Sequence, residues 1–181
     1  SAIKAAGILE IQRAAPRIMQ LALNTSAAPN LRAESLHALK KLDKSRLALA
    51  VEKAINSDSE ILRKTAVSYL GVLSKHNALT ALKTILAKGS VGEKQSAFEV
   101  LGTLEGAEAE GIIREWLDRL LAGKSNAALE LDIVEAAEKR TEASVQKKLQ
   151  AYLASAPQGD EVAPFRATLH GGDATAGEKV F

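Results

Sequence analysis

The chain of 181 residues has no cysteine, one Met, one Trp, four Pro and an aromatic content of 3%. Without cysteine there is no disulfide framework, no thiolate metal site and no cysteine nucleophile. Few aromatics mean a core of small and branched aliphatic side chains, which suits close packing of helix on helix. Excess charge is also lacking: 24 Lys and Arg stand against 22 Asp and Glu, a formal net charge of +2. A nucleic-acid glove needs a concentrated basic face, so nucleic acid is not expected as a partner. No run approaches the roughly 18–20 apolar residues of a membrane span, so no membrane contact by this segment is expected. The opening Ser1-Ala2-Ile3-Lys4 has neither an initiator Met nor a signal-peptide layout, and the chain reads as a piece of a longer protein.

What the chain does have is a 31-residue period. Leu36, Val67 and Phe98 follow it, as do Leu39, Leu70 and Leu101, and Leu42, Leu73 and Leu104. A second block keeps the same step: Val51, Leu82, Ile113; Ala54, Ile85, Trp116; Ile55, Leu86, Leu117. A fixed period of roughly 20–50 residues marks a solenoid, whose units are too small to bury an apolar face alone. Within each unit the apolar residues fall at helical spacing, as in Val67, Leu70, Leu73 and in Leu82, Ile85, Leu86. First helices are expected over about Leu31–Leu42, Ile61–Leu73 and Glu93–Leu104, and second helices over about Lys44–Ile55, Asn77–Lys88 and Glu108–Leu121. The breaks carry helix-end chemistry. Asn56-Ser57-Asp58-Ser59 supplies capping oxygens, and Lys88-Gly89 places a cation and then a glycine at a helix end.

The pattern extends both ways. One step back puts Ala5, Ile8 and Ile11 in the first-helix columns. It predicts helices over about Ala2–Gln12 and Pro16–Asn24, the second slipped by one residue so that Met19 and Leu23 point inward. Forward, the step becomes 36: Phe98 maps to Val134, Leu101 to Ala137, Ile113 to Leu149, Trp116 to Tyr152 and Leu117 to Leu153. The Leu42 column then arrives at Arg140, which predicts a capping unit whose position meets solvent. The expected fold is all-α, a right-handed α–α superhelix of about five helical hairpins with an extended C-terminal tail. Its units run about 1–29, 30–60, 61–91, 92–126 and 127–156, and 157–181 is a linker with the start of a truncated following domain.

The strings Arg63-Lys-Thr-Ala-Val-Ser-Tyr-Leu-Gly-Val-Leu73 and Lys94-Gln-Ser-Ala-Phe-Glu-Val-Leu-Gly-Thr-Leu104 resemble the short HEAT repeat, an armadillo-type helical repeat. In that family a glycine sits near the end of the first helix, here Gly71 and Gly102; the first full unit has Lys40 instead. The closing Gly172-Asp-Ala-Thr-Ala-Gly-Glu-Lys-Val-Phe181 resembles the opening of a class I cytochrome c domain. Together the two resemble the repeat region of planctomycete and verrucomicrobial-type multidomain haem-binding dehydrogenase-like proteins. That resemblance implies an exported parent, periplasmic or in the cell envelope, with haem c beyond Phe181 and no cofactor in this chain. A cytoplasmic location stays open.

No catalytic or metal constellation is read here. His37 lies on an exposed helix face, His76 in a loop and His170 beside Gly171-Gly172; no His, Asp and Glu cluster has ligand spacing. Gly89-Ser90-Val91-Gly92 lacks the context of a nucleophile elbow. Arg32, Arg63 and Lys94 form a basic ladder, read as solvated or ion-paired residues. Second helices line the concave face in the resembled family, and their outward cations Lys83, Arg114, Arg119, Lys147 and Lys148 are the candidate partner-facing residues; Trp116 is read as core. The expected function is a non-catalytic scaffold, spacer and interaction module, monomeric, that meets neighbouring domains of the same polypeptide or another protein. The alternative is a stand-alone adaptor holding a peptide or protein on its concave face.

Overall fold

The computed structural model describes residues 1–155, and all regular structure among them is helical. The expected linker, the cytochrome-like opening and His170 lie outside the described residues. The helices are α1 (Ala2–Ile8), α2 (Ala15–Leu23), α3 (Pro29–Leu42), α4 (Lys44–Ala54), α5 (Glu60–Val67), α6 (Lys75–Lys88), α7 (Val91–Leu101), α8 (Ala107–Leu121), α9 (Glu130–Glu138) and α10 (Ala143–Ala154). Short 3-10 turns occupy Gln12–Ala14, Leu70–Val72 and Ala127–Leu129. Two compact units meet between Leu86 and Ala87, within the last turn of α6.

In the first unit α1, α3 and α5 pack side by side as one layer, and α2 packs on α4 as a second. The first layer is parallel and in register. Lys4, Gly7 and Glu10 of the α1 segment face Glu34, Ala38 and Lys41 of α3 across one groove, and Asn30 and Glu34 face Ile61 and Thr65 of α5 across the next. Leu36, Leu39, Val67 and Leu70 are fully buried, as are Leu47, Val51, Ala78 and Leu82 of the second helices. In the second unit α7 packs on α9 and α8 on α10. There Phe98, Leu101, Ala137, Ile113 and Leu117 are fully enclosed, and Phe98 meets Trp116 edge to face at 5.2 Å. Burial of such side chains contributes roughly 1.5–3 kcal/mol each, and helices this short depend on it.

Local chemistry sets most boundaries. Ser90 caps α7 and Glu93 returns the bond to the Ser90 N–H, a reciprocal capping box. Pro16 and Pro29 sit in the first turns of α2 and α3, where the missing N–H has no partner to lose.

Several expectations are corrected. Ala5 and Ile8 do not enter the core: Ile8 is 69% exposed, and α1 instead buries Ile3 and Gly7. The reason is close approach. A Cβ on Gly7 would stand 3.1 Å from the Ala38 Cα, so α1 turns its smallest residue to α3. The one-residue slip of α2 holds, with Ala15, Ile18 and Ala22 standing 32 residues before Leu47, Ala50 and Ala54. Met19 is half-buried, but Leu23 is exposed, because α2 ends there. The helix expected through Leu73 stops at Val67 and continues as a 3-10 turn. His76 lies in α6, not in a loop. Arg140 does not meet solvent: it is 7% exposed and donates to the carbonyl of Leu101, the last residue of α7. Its column position is inside, and a guanidinium is accommodated because it reaches an orphan helix-end carbonyl.

Two helices end in the same left-handed way. After α8, Lys124 N–H bonds Arg119 O at 2.8 Å and Gly123 N–H bonds Leu120 O at 2.9 Å, with Gly123 at φ +64°. After α1, Ile11 N–H bonds Ala6 O and Glu10 N–H bonds Gly7 O, with Glu10 at φ +50°. This is the six-to-one and five-to-two pattern that favours glycine. Glu10→Gly is therefore expected to stabilise the protein by about 1 kcal/mol, and Gly123→Ala to destabilise it by about as much. Urea unfolding midpoints measure both. A destabilised Glu10→Gly would show that the Glu10 side chain contributes more than its backbone costs.

Candidate functional site

The outward cations of the second helices are presented because the opposite faces are consumed by the core: Ile113, Trp116 and Leu117 on α8, Val145 and Leu149 on α10. Arg114 Nη1 reaches Glu142 Oε2 at 3.3 Å and Ser144 Oγ at 3.0 Å. Lys148 Nζ pairs with Asp118. These two pairs link α8 to α10. Arg119 pairs with Glu115 at 2.6 Å, and its guanidinium lies 4.6 Å from the centre of the Trp116 ring. Lys147 is exposed. Lys83 lies exposed on α6 in the first unit, so the five do not form one patch within either unit. Three of them serve the packing of the second unit, although exposed pairs of this kind contribute only about 0–1 kcal/mol each.

In the basic ladder Arg32 and Arg63 reach backbone carbonyls. Arg32 is buried and its Nε donates to Ala22 O at 3.0 Å. Arg63 donates to the carbonyls of Ser57 and Asp58 at 2.8 and 2.9 Å. Lys94 is half-buried. His37 bonds the Tyr69 hydroxyl through Nδ1, and Lys40 Nζ stands 5.3 Å from that ring's centre. Trp116 is core, 7% exposed. Among the described residues no group of three or more His, Asp or Glu side chains stands ready for a metal ion. No helix among them is long and apolar enough to cross a membrane.

One cleft opens on the second-helix side of the first unit, about 420 Å³ in volume. Half-buried Ile55 and Leu73 supply its apolar surface over buried Leu70 and Ile85, with Asn77 and Thr80 on α6 beside them. Sequence reading missed it because α4 and α6 occupy equivalent columns. It exists because α5 breaks at Val67 and the 3-10 turn leaves Leu73 only half-buried.

No protein-family model, curated protein or solved structure matches this chain.

Two helix caps hold carboxylates well below their usual range. Asp43 opens α4, accepting from the Ser45 hydroxyl at 2.6 Å and the Arg46 N–H at 3.0 Å, and is held at a pKa of about 2. Glu142 opens α10, accepting from Ser144 Oγ at 2.6 Å and Val145 N–H at 3.0 Å, and is also held at about 2. Hydrogen bonds to the charged form cause both shifts, with Ser45 and Ser144 the largest contributors. Burial raises Asp132, and burial followed by the bond to Glu130 raises Tyr152. A carboxylate depressed in the folded state adds stability that is present above its unfolded value, near 4, and is lost as pH falls through about 2. Stability should thus fall between about pH 4 and pH 2, and Asp43→Asn with Glu142→Gln should flatten that fall. Urea midpoints across this range test it; an unchanged slope in the double variant would assign acid sensitivity to other carboxylates.

Proposed function

We propose that the chain is a non-catalytic helical-repeat scaffold, a spacer and interaction module of a larger exported haem-binding, dehydrogenase-like protein. The observation that carries this reading is the recurrence of buried side chains. Leu36 and Val67 in the first unit, and Phe98 and Val134 in the second, stand at steps of 31, 31 and 36 and are all enclosed. A chain that spends its apolar residues on neighbour-to-neighbour columns behaves as a quasi-one-dimensional stack, which sets distance and orientation between what lies at its ends. The finer form of the fold, a right-handed HEAT-like superhelix, belongs to the same proposal. Its support is the in-register parallel layer of α1, α3 and α5. The haem link and periplasmic setting rest on the resemblance of residues 172–181 to a cytochrome c opening.

The cleft lined by Ile55, Leu70, Leu73 and Asn77 favours the second reading, an adaptor that holds a peptide. Under the first reading, the gene beyond Phe181 should encode Cys-x-x-Cys-His within about ten residues. Sequencing the parent gene tests this, and a following stretch without that motif would remove the haem-linked proposal.

A further inference from the structure

The near-zero net charge conceals a division. The first 86 residues carry 13 Lys and Arg against 6 Asp and Glu, whereas the remaining 95 carry 11 against 16. The first unit is therefore a strongly basic body.

Five of its 13 cations stand along one edge. Because α1, α3 and α5 run parallel and in register, their C-terminal ends lie side by side, and so do the turns that follow them. Arg13 stands in the turn after α1, Lys40 and Lys41 end α3, Lys44 begins α4 and Lys75 begins α6. Arg13, Lys41, Lys44 and Lys75 are exposed and enter no ion pair among the described residues. The carboxylates beside them are Glu10 and Asp43, and Asp43 is already bonded to Ser45 and Arg46.

Helix-end energetics explain only part of this. Lys40 and Lys41 sit at a helix C-terminus, where the dipole favours a cation. Lys44 and Lys75 are the first residues of their helices, where the same dipole disfavours one. Two lysines thus occupy locally unfavourable positions on an edge that already repels itself. Residues that oppose local stability in this way are characteristic of binding surfaces.

We propose that the hairpin-turn edge of the first unit is a docking edge for an acidic, extended segment of a protein. Adjacent helices of a layer lie about 8–10 Å apart and an extended chain advances about 3.3 Å per residue, so a carboxylate at every third residue meets successive turns. Nucleic acid fits less well. A duplex presents a charge every ~1.7 Å, far denser than one rung per turn. Bases stack on exposed aromatics, and the first unit's single aromatic, Tyr69, is half-buried and engaged with His37 and Lys40. The edge deepens the interaction-module reading but does not need the haem link: loss of a haem motif beyond Phe181 would leave it standing, and failure of the edge would leave the haem link standing.

The test is fluorescence anisotropy on the full chain with a labelled peptide of repeating Glu-Gly-Ser, beside a Gln-Gly-Ser peptide and duplex DNA. Saturable binding of the acidic peptide is expected, weakening several-fold between about 50 and 200 mM salt as screening grows. The variant Lys41→Gln/Lys44→Gln/Lys75→Gln should bind at least about tenfold more weakly while its thermal midpoint stays level or rises, since two of the three sit at helix N-termini. Lys124→Gln in the second unit should bind as the parent does. Equal binding of both peptides, undiminished binding by the triple variant, or binding of DNA without the acidic peptide would overturn the proposal.

Discussion

The constraint on which this structure rests is that no helical hairpin here can bury its own apolar stripe. Helices of about two to four turns lack the area to stand alone, so within each unit neighbouring hairpins cover one another's stripes. In the first unit this brings α3 between α1 and α5, and the parallel register follows, because equivalent residues must face equivalent holes. Small residues decide how close the layers come. Gly7 against Ala38 sets the approach of α1 to α3, and fully buried Ser35 and Ala66 occupy the matching positions of α3 and α5.

Stacking short helices multiplies helix ends, each with unpartnered backbone groups. Much of the polar content answers that need. Asp43, Ser90 with Glu93, and Glu142 take N–H groups. Arg32, Arg63 and Arg140 donate to carbonyls at helix ends or in the connections, and Gln146 bonds the carbonyls of Ala137 and Arg140. Charged residues that appear available in sequence are therefore often structural. Arg114 and Lys148 are the clearest examples, since both link α8 to α10. Arg13, Lys41, Lys44 and Lys75, at the hairpin turns of the first unit, are among the cations that enter no ion pair among the described residues.

The sequence by itself determined the helical class, the period and most of the helices. Alternation of enclosed and exposed positions is a local property, and Leu36, Val67, Phe98, Ile113 and Leu149 display it without a third dimension. It also determined that Trp116 is core, because its column neighbours are apolar. What it could not determine was the fate of long polar side chains and the two ends of each helix. Arg140 and Leu104 share a column, yet whether a guanidinium there faces water or a carbonyl depends on Leu101, 39 residues away. Glu10 carries no helix-stop signal, yet it takes the left-handed conformation that ends α1. The cleft beside α6 and the alignment of the basic turns are likewise tertiary decisions. Both arise from how neighbouring helices lie against each other, a relation that no single stretch of sequence contains.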